Sequence, residues 1–376
     1  MTRVSVLLSA RDPGAAAQVR EIAPVLRADR RLEVVVVASD PAYELLVAAG
    51  EEPRKFTASA SPAAAADTAT LVGEAHDVLD DVDPDVVVTG ISSLGVGVDE
   101  ALLACAGTRP TFALQDYPGD VNALGHAYAA TYFVRDEPAA ALTVRRFSVR
   151  AVAVGSLRHA GYSRLDVRRL REDTRRAAKV DDGRPVIGFF GQPPAIPGQE
   201  TAFGHLVDAL RGRMPRPFVI HFEHPKSLDR RDAHVAMLRS AGLTVHDATG
   251  ATAVEPWLAA CDVVATCFSH CTMDYAFLTA WSAEPLGAVL FLMTTPEITR
   301  FLHTQGGLAV PDGAERGLGR IVRTPTDVVS ALDEVLAEST RRQYHLACRQ
   351  LPKDVAFRTI VDAVVEGGLR RRAAIR

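Results

Sequence analysis

The run Leu32-Glu33-Val34-Val35-Val36-Val37-Ala38 decides the fold class of this chain. It contains four successive valines and almost no polar residue, which is typical of a β-strand buried on both faces of a parallel sheet. Similar apolar runs recur at 4–8, 85–90 and 262–266, with longer amphipathic stretches between them that are typical of helices. This alternation predicts an α/β fold in which helices cover both faces of a parallel sheet.

The alternation of strands and helices stops near residue 180 and then starts again. Residues 164–179 are charged and helical in pattern, and Asp181-Asp182-Gly183-Arg184-Pro185 follows them. A polar segment rich in turn residues is typical of a domain boundary. We therefore predict two doubly wound Rossmann-like domains, at 1–180 and 181–345, followed by C-terminal helices at 346–376.

Length and composition exclude several classes of protein. The chain has 376 residues, of which 48% are hydrophobic and 23% charged, as expected of two globular domains. Its net charge of −4 argues against a nucleic-acid partner, which would need a dense basic face. The five scattered cysteines, the absence of a signal-peptide pattern and the lack of any run of about 18–20 apolar residues predict a cytoplasmic protein without a transmembrane segment.

Polar loops follow the apolar strands, and these loops are where a ligand site is expected. In open α/β sheets, ligands bind at the carboxyl ends of the strands. The loops that carry candidate residues are Ser9-Ala10-Arg11-Asp12-Pro13-Gly14, Gln115-Asp116-Tyr117-Pro118-Gly119-Asp120, Gly191-Gln192-Pro193-Pro194, Glu223-His224-Pro225-Lys226 and Cys267-Phe268-Ser269-His270-Cys271-Thr272. Because the loops belong to two domains, the sequence predicts a site in a cleft between them.

Residues 261–276 are the most informative stretch for chemistry. A strand enters a short polar turn, and a helix leaves it. The start of that helix offers unpaired N–H groups and the positive end of the helix dipole, which suit a phosphate, and Ser269 and Thr272 could add hydroxyls. The alternative is that Ser269 or Thr272 only caps the helix.

A second candidate lies at the end of the strand 218–222. His224 could donate a hydrogen bond to a phosphate, and Lys226 could add positive charge. The alternative is a structural histidine held by the backbone beside the rigid Pro225. The pattern of residues alone does not separate these two roles.

Together these two motifs resemble the C-terminal domain of GT-B glycosyltransferases, above all the bacterial polysialyltransferase and CDP-glycerol glycerophosphotransferase branch. His224-Pro225 matches the His-Pro motif of that branch, and Ser269 to Asp274 partly matches its Ser-Ser or Ser-Thr motif, with His270 where a second serine is usual. The resemblance implies a GT-B fold with two facing domains, an acceptor side in the first and a nucleotide-donor site in the second. It also implies that the C-terminal helices at 346–376 return toward the first domain. The residues it assigns to that site are Gly191, Gln192, His224, Pro225, Lys226, Ser269, His270, Thr272 and Asp274.

The function that follows from the resemblance is transfer of a sugar or sugar-like group from a nucleotide donor to a small-molecule or glycan acceptor. An inverting transferase needs a base that deprotonates the acceptor. In the N-terminal domain the candidates are Asp116, Asp120 and His126, with Arg11, Asp12 and Gly14 in the neighbouring loop. Two of these have structural alternatives: Asp116 could cap the bend that follows it, and Asp12 could be the N-cap of the first helix.

Two other functions remain open. The N-terminal domain also resembles the UDP-N-acetylglucosamine 2-epimerases, but that chemistry needs paired acid and base groups, and Ala129 and Ala130 stand where the second carboxylate would fall. In the third candidate function, the protein binds a nucleotide sugar without transferring it. We expect no cofactor. We also expect no metal, because Cys261, Cys267 and Cys271 lack the paired spacing of zinc sites.

Overall fold

The computed structural model describes residues 3–59, 65–92, 95–180, 183–251 and 253–375. The chain divides into unit 1, comprising Met1–Gly161 and Pro352–Arg376, and unit 2, comprising Tyr162–Leu351. The boundary thus falls at 161/162 rather than at the predicted 180/181, and the C-terminal segment of unit 1 begins at Pro352 rather than at 346. Asp181 and Asp182 of the predicted linker lie outside the described residues.

The strands of the described chain are short and mostly apolar, and each ends near a polar loop. In chain order they are β1 (Val4–Ala10), β2 (Leu32–Ala38), β3 (Arg54–Lys55), β4 (Val86–Thr89), β5 (Thr111–Leu114), β6 (Thr131–Val134), β7 (Arg150–Ala153), β8 (Val186–Phe190), β9 (Phe218–Phe222), β10 (Thr244–Asp247), β11 (Val263–Thr266), β12 (Ala288–Leu292) and β13 (Arg320–Val322).

Helices connect most of these strands. The α-helices are α1 (Pro13–Ala28), α2 (Ala42–Ala48), α3 (Ala65–Val82), α4 (Val98–Cys105), α5 (Glu137–Phe147), α6 (Val167–Ala177), α7 (Gln199–Arg211), α8 (Arg231–Ser240), α9 (Glu255–Ala260), α10 (Cys271–Trp281), α11 (Pro296–Phe301), α12 (Val328–Leu336), α13 (Glu338–Cys348) and α14 (Phe357–Ile375). No helix in the described ranges is long and apolar enough to cross a membrane.

Both units contain a parallel sheet with the same central order. The sheet of unit 1 runs β3-β2-β1-β4-β5-β6-β7, and that of unit 2 runs β10-β9-β8-β11-β12-β13. In each sheet the chain goes outward from the first strand in one direction and then returns to build in the other. The switch points therefore lie between β1 and β4 in unit 1, and between β8 and β11 in unit 2.

Helices cover both faces of the unit 1 sheet. Val6 and Leu8 pack on one side with residues of α1 and α14, including Ile22 and Val364. Leu7 packs on the other side with residues of α3 and α4. The last residues of β2 are buried, whereas Glu33 near its start is exposed. The short β3 pairs only with Val37 and Ala38, at the buried end of β2.

An aspartate placed just before the fourth strand ties each unit together. In unit 1, Asp85 Oδ2 accepts a hydrogen bond of 2.8 Å from the Ser5 amide and lies 2.6 Å from Arg372 Nη2 of α14. Burial opposes the ionisation of Asp85, but the bonds from Arg372 and Ser5 outweigh it and hold the pKa of that carboxyl below its usual value. The C-terminal helix is therefore bound to the first sheet.

The equivalent aspartate of unit 2 is Asp262, before β11. Its Oδ2 accepts a bond of 2.8 Å from the Val186 amide, and its two oxygens lie 2.6 Å from Arg171 Nη2 and 2.8 Å from Arg175 Nη2 of α6. These contacts bind α6 to the second sheet. They explain why the charged segment predicted to end the first domain belongs to unit 2.

The C-terminal region differs in detail from the sequence prediction. Helices were predicted over 346–376, whereas the structure has α13 ending at Cys348 and α14 beginning at Phe357, with non-helical residues between them. Pro352 lies in this interval and lacks the amide hydrogen that a continuous helix needs.

Candidate functional site

Three loops of unit 2 meet at its switch point, because β8 lies between β9 and β11. The side-chain Oε1 of Gln192, after β8, accepts a 2.9 Å bond from the Phe268 amide, after β11. The Ser227 hydroxyl, after β9, donates a 3.0 Å bond to the Gln192 carbonyl. We call these residues, 191–192, 223–227 and 267–272, the unit 2 loop cluster. It brings the residues predicted to bind a donor phosphate into one part of unit 2.

The His224 ring has a defined proton arrangement within this cluster. Its Nδ1 accepts a 3.0 Å bond from the Lys226 amide, so the neutral ring carries its proton on Nε2 and can donate from there. Pro225 opens a 3₁₀ helix at Pro225–Arg230, and both Pro225 and Lys226 are exposed. The backbone does hold His224, as its structural alternative requires, and this same contact makes Nε2 a hydrogen-bond donor.

Glu223 holds the His-Pro segment through a hydrogen bond, and the sequence did not predict it as a site residue. Its side chain is 1% exposed, and its Oε1 accepts a 3.0 Å bond from the His224 amide. A Cβ on Gly191 would lie 2.3 Å from the same oxygen, so only glycine fits there. Burial opposes the ionisation of Glu223, yet the imidazoles of His221 and His234 beside it hold its pKa down at about 2.

Some polar groups of the turn before α10 form hydrogen bonds with one another. Ser269 Oγ accepts a long bond of 3.4 Å from the Cys271 amide, and the Thr272 hydroxyl donates a 2.9 Å bond to the Ser269 carbonyl. His270 occupies the N-cap position without a capping hydrogen bond from its side chain. Asp274, in the first turn, is fully buried. Thr272 is therefore not the cap, and its hydroxyl proton is engaged within the turn.

In unit 1 the structure brings the loop after β1 against the loop after β5. Asp116 Oδ2 lies 3.0 Å from Arg158 Nη1, and the two side chains are 23% and 17% exposed. A Cβ on Gly14 would lie 2.1 Å from Asp116 Oδ2, so glycine is needed for this approach. The Gln18 side-chain amide also donates a 3.0 Å bond to the Gln115 carbonyl. Asp116 is thus held as one member of an ion pair beside the start of α1.

Arg11 and Asp12 lie in the same region of unit 1. Arg11 Nε is 3.3 Å from Asp12 Oδ1, and Arg11 Nη1 donates a 2.8 Å bond to the Val96 carbonyl. Asp12 occupies the N-cap position of α1 with Pro13 at N1, but its side chain makes no capping bond to the helix. The expected N-cap position is confirmed, and the carboxylate pairs with Arg11.

Two buried acids of α4, Asp99 and Glu100, contact the loops after β1 and β4 and were not among the residues predicted from the sequence. Asp99 Oδ1 lies 2.6 Å from the Ser9 hydroxyl, and both oxygens of Glu100 accept 2.8 Å bonds, from the Ser92 and Gly97 amides. Burial raises the pKa of both carboxyls, and the charge of Asp99 raises that of Glu100 further. Acids in the first turn of a helix are common, so their burial gave no signal in the sequence.

The other two candidate bases have different settings. The Asp120 carbonyl accepts a 3.0 Å bond from the Gln115 side chain, so its backbone is joined to the β5 loop. His126 is exposed and follows Gly125 in a turn where both residues have positive φ, +58° and +63°. Within the described residues the His126 ring forms no hydrogen bond or ion pair. Both assignments stay predictions.

Comparison with known proteins places the fold. No family model matches the sequence, and no curated protein matches it. A UDP-GlcNAc 2-epimerase from Neisseria meningitidis, solved with UDP-GlcNAc bound, matches the structure with a TM-score of 0.69 at 12% identity, covering 98% of this chain and 100% of that one. A glycosyltransferase from Rickettsia africae matches with a TM-score of 0.63 at 10% identity, covering 98% and 99%.

MurG from Acinetobacter baumannii matches with a TM-score of 0.54 at 13% identity, covering 96% of this chain and 99% of that one. At such low identity these similarities bear on the fold alone. They show that this chain has the GT-B fold, with two Rossmann-like units, which confirms the fold class expected from the sequence.

Proposed function

We propose that this chain is a glycosyltransferase that uses a nucleotide-activated sugar donor. The observation that carries the proposal is the unit 2 loop cluster, in which His224 presents an Nε2 donor at a topological switch point. Nucleotides bind at such points in doubly wound sheets. The epimerase solved with UDP-GlcNAc and the glycosyltransferase from Rickettsia africae have the same fold, which supports a nucleotide sugar as the ligand.

In this proposal the donor phosphates lie against the unit 2 loop cluster. His224 Nε2 donates a hydrogen bond, Lys226 supplies positive charge, and the amide groups at the start of α10 add the positive end of a helix dipole. Charge-assisted hydrogen bonds of this kind contribute about 1.5–3 kcal/mol each. The remaining donor-site residues assigned by the resemblance are Gly191, Gln192, Pro225, Ser269, His270, Thr272 and Asp274.

The proposal assigns the acceptor base to Asp116 of unit 1. A base must be ionised and oriented to take a proton from the attacking hydroxyl. Arg158 Nη1 donates to one oxygen of Asp116 at 3.0 Å and so fixes the orientation of the carboxylate. Asp120 and His126 are the alternative bases, and the acceptor is a small molecule or a glycan.

Nucleotide binding tests the donor site. We expect one of UDP, CMP, CDP, GDP and dTDP to raise the melting temperature, because a ligand at 100 times its Kd stabilises a fold by about 2.7 kcal/mol. His224→Ala should weaken that nucleotide by about one to two orders of magnitude with little change in melting temperature of the free protein. His205→Ala is the matched control, since His205 lies in unit 2 and bonds Thr294 at 2.9 Å. No response to any nucleotide, or equal binding by both variants, contradicts the donor site.

A second candidate is a UDP-sugar 2-epimerase, which the match to the Neisseria meningitidis enzyme favours. Incubation of the protein with UDP-GlcNAc and no acceptor distinguishes the two reactions. An epimerase would interconvert the C2 epimers, whereas a transferase would leave that carbon unchanged. Nucleotide binding without turnover, equal in wild type and Asp116→Asn across a panel of acceptors, would instead favour the non-catalytic binding protein.

A further inference from the structure

A buried group of imidazoles and a carboxylate lies beneath the unit 2 loop cluster, and the proposed transferase function does not use it. The group consists of His221 of β9, Glu223 just after β9, and His234 of α8. Their potential ligand atoms lie within 4.8 Å of one another, and all three side chains are buried.

The carboxylate of Glu223 is central to the group. Its Oε2 lies 2.7 Å from His234 Nδ1 and 3.5 Å from His221 Nε2. His221 Nε2 makes no hydrogen bond within the described residues, although the residue is completely buried. The outer nitrogen, Nδ1, faces Asp247 Oδ1, so Nε2 is the nitrogen directed at the Glu223 carboxylate. A buried polar nitrogen without a partner is costly, and a cation between this nitrogen and the carboxylate would remove that cost.

Each imidazole also contacts a carboxylate through its outer nitrogen. His221 Nδ1 lies 3.5 Å from Asp247 Oδ1, and His234 Nε2 lies 2.6 Å from Glu200 Oε2. Histidines that bind metals almost always donate their other ring nitrogen to a carboxylate, a carbonyl or a water. Both histidines are therefore oriented as metal ligands are, with the inner nitrogens facing Glu223.

The two outer carboxylates of the group, Glu200 and Asp247, each pair with an arginine. Arg230 Nη1 lies 2.6 Å from Glu200 Oε1, and Arg231 Nε binds Asp247, so each outer carboxylate has an arginine partner. Within the described ranges, the Glu223 carboxylate contacts the two imidazoles and the His224 amide and pairs with no arginine. A cation at the centre would pair with that carboxylate.

We propose that His221 Nε2, His234 Nδ1 and the Glu223 carboxylate bind a divalent transition-metal ion of the zinc class. Two imidazoles and one carboxylate are a zinc ligand set. Ligands about 2.0–2.1 Å from a tetrahedral ion lie about 3.4 Å apart, which matches the 3.5 Å between His221 and Glu223. The 2.7 Å between His234 and Glu223 would widen on binding, by a rotation of the carboxylate.

The ion would have a positioning role. It would fix Glu223, whose other oxygen accepts the His224 amide proton at 3.0 Å. The His-Pro segment would then be tied to β9 and α8 through the metal. The site is independent of any nucleotide, so its test fails or succeeds separately from that of the transferase proposal.

Zinc titration of the untagged, chelator-treated chain tests the site. A chromophoric chelator competes for Zn²⁺, and we expect one ion per chain with a sub-micromolar Kd. His221→Ala and His234→Ala should each weaken binding by at least about 100-fold. His205→Ala, a histidine of the same unit outside the group, should bind Zn²⁺ as the wild type does. The proposal is overturned if His234→Ala binds Zn²⁺ as tightly as the wild type. It is also overturned if the wild type binds no stoichiometric Zn²⁺, in which case a proton is the central cation.

A cobalt spectrum gives a second reading on the wild type alone, in case the variants fail to fold. Co²⁺ should produce visible d–d bands that Zn²⁺ abolishes, without the near-ultraviolet charge-transfer band of a thiolate ligand. Cys267 and Cys271 are the nearby cysteines of the loop cluster, and a thiolate band would show that the metal binds there instead. That result would also overturn the assignment to His221, Glu223 and His234.

Discussion

Removal of the Asp262 carboxylate should destabilise unit 2 by an amount that its contacts allow us to work out. The side chain is 10% exposed and receives hydrogen bonds from Arg171, Arg175 and the Val186 amide. Removing one partner of a fully buried ion pair costs about 3–5 kcal/mol. Here the two arginine side chains are 19% and 26% exposed, so water can partly replace the lost partner.

The arginines also keep other partners after the substitution. Arg171 Nη1 donates to the carbonyls of Ala259 and Cys261, and Arg175 Nε donates to that of Ala260, at 2.6–2.9 Å. We therefore expect Asp262→Ala to lower the free energy of unfolding by about 2–4 kcal/mol, below the fully buried case. Asp262→Asn should cost less than Asp262→Ala, because its amide oxygen can still accept the Val186 amide proton.

Urea unfolding followed by tryptophan fluorescence measures this change selectively. The chain has two tryptophans, Trp257 and Trp281, and both lie in unit 2. With a urea m-value of about 2 kcal/mol/M, a loss of 3 kcal/mol lowers the midpoint by about 1.5 M. Asp173→Ala is the matched control on α6, since its side chain is 52% exposed and should change stability by less than about 0.5 kcal/mol. Equal midpoints for Asp262→Ala and Asp173→Ala would refute the role assigned to Asp262.

Three further predictions concern unit 1, and urea unfolding followed by far-ultraviolet circular dichroism measures each of them. Asp85 has a lowered pKa, so the stability it contributes is present above its unfolded pKa and lost as the pH falls; the deficit of Asp85→Asn at pH 7 should close as the pH falls below about 4, and a pH-independent deficit would contradict this. Asp99 has a raised pKa, so the stability it contributes is present at low pH and lost as the pH rises. Relative to wild type, Asp99→Asn should therefore gain stability as the pH rises from about 4 through neutrality, with the Ser9 hydroxyl turning to accept from the new amide. A stability difference between variant and wild type that does not change with pH would count against a buried, protonated Asp99. Gly14→Ala should destabilise the wild type by about 1–3 kcal/mol, because its Cβ meets Asp116, but should be neutral or stabilising in an Asp116→Ala background; an equal cost in both backgrounds would show that Asp116 is not the obstacle.

The sequence was a good guide to the strands and to the loops that follow them. Residues 32–38 and 262–266 read as strands because runs of β-branched residues need burial on a sheet, and β2 and β11 occupy these positions. Since the carboxyl ends of parallel strands lie at one edge, the loops with Gln192 and His224 were expected to meet, and they do. α5 was not predicted, although Asp136 caps it with a 3.0 Å bond from the Ala139 amide.

The parts of the site that the sequence missed depend on partners far apart in the chain. Arg158 reaches Asp116 across 42 positions, and His234 reaches Glu200 across 34. A short window of sequence holds no information on such pairs, because any charged residue on a surface helix has the same local pattern. The burial of Asp99 is equally invisible, since it arises from the packing of α4 against β1 and β4.

The sequence by itself determined that this chain builds two doubly wound parallel sheets, because strand and helix periodicities are local and burial of apolar runs follows directly from them. The tertiary structure alone decided that α6 belongs with unit 2, through Asp262, and which contact holds the returning C-terminal helix to unit 1, through Asp85. It also decided which acids and histidines are buried together, as at Glu223. The physical reason is that the energy of a buried charge depends on the atoms packed around it, and the fold brings those atoms from distant segments of the chain.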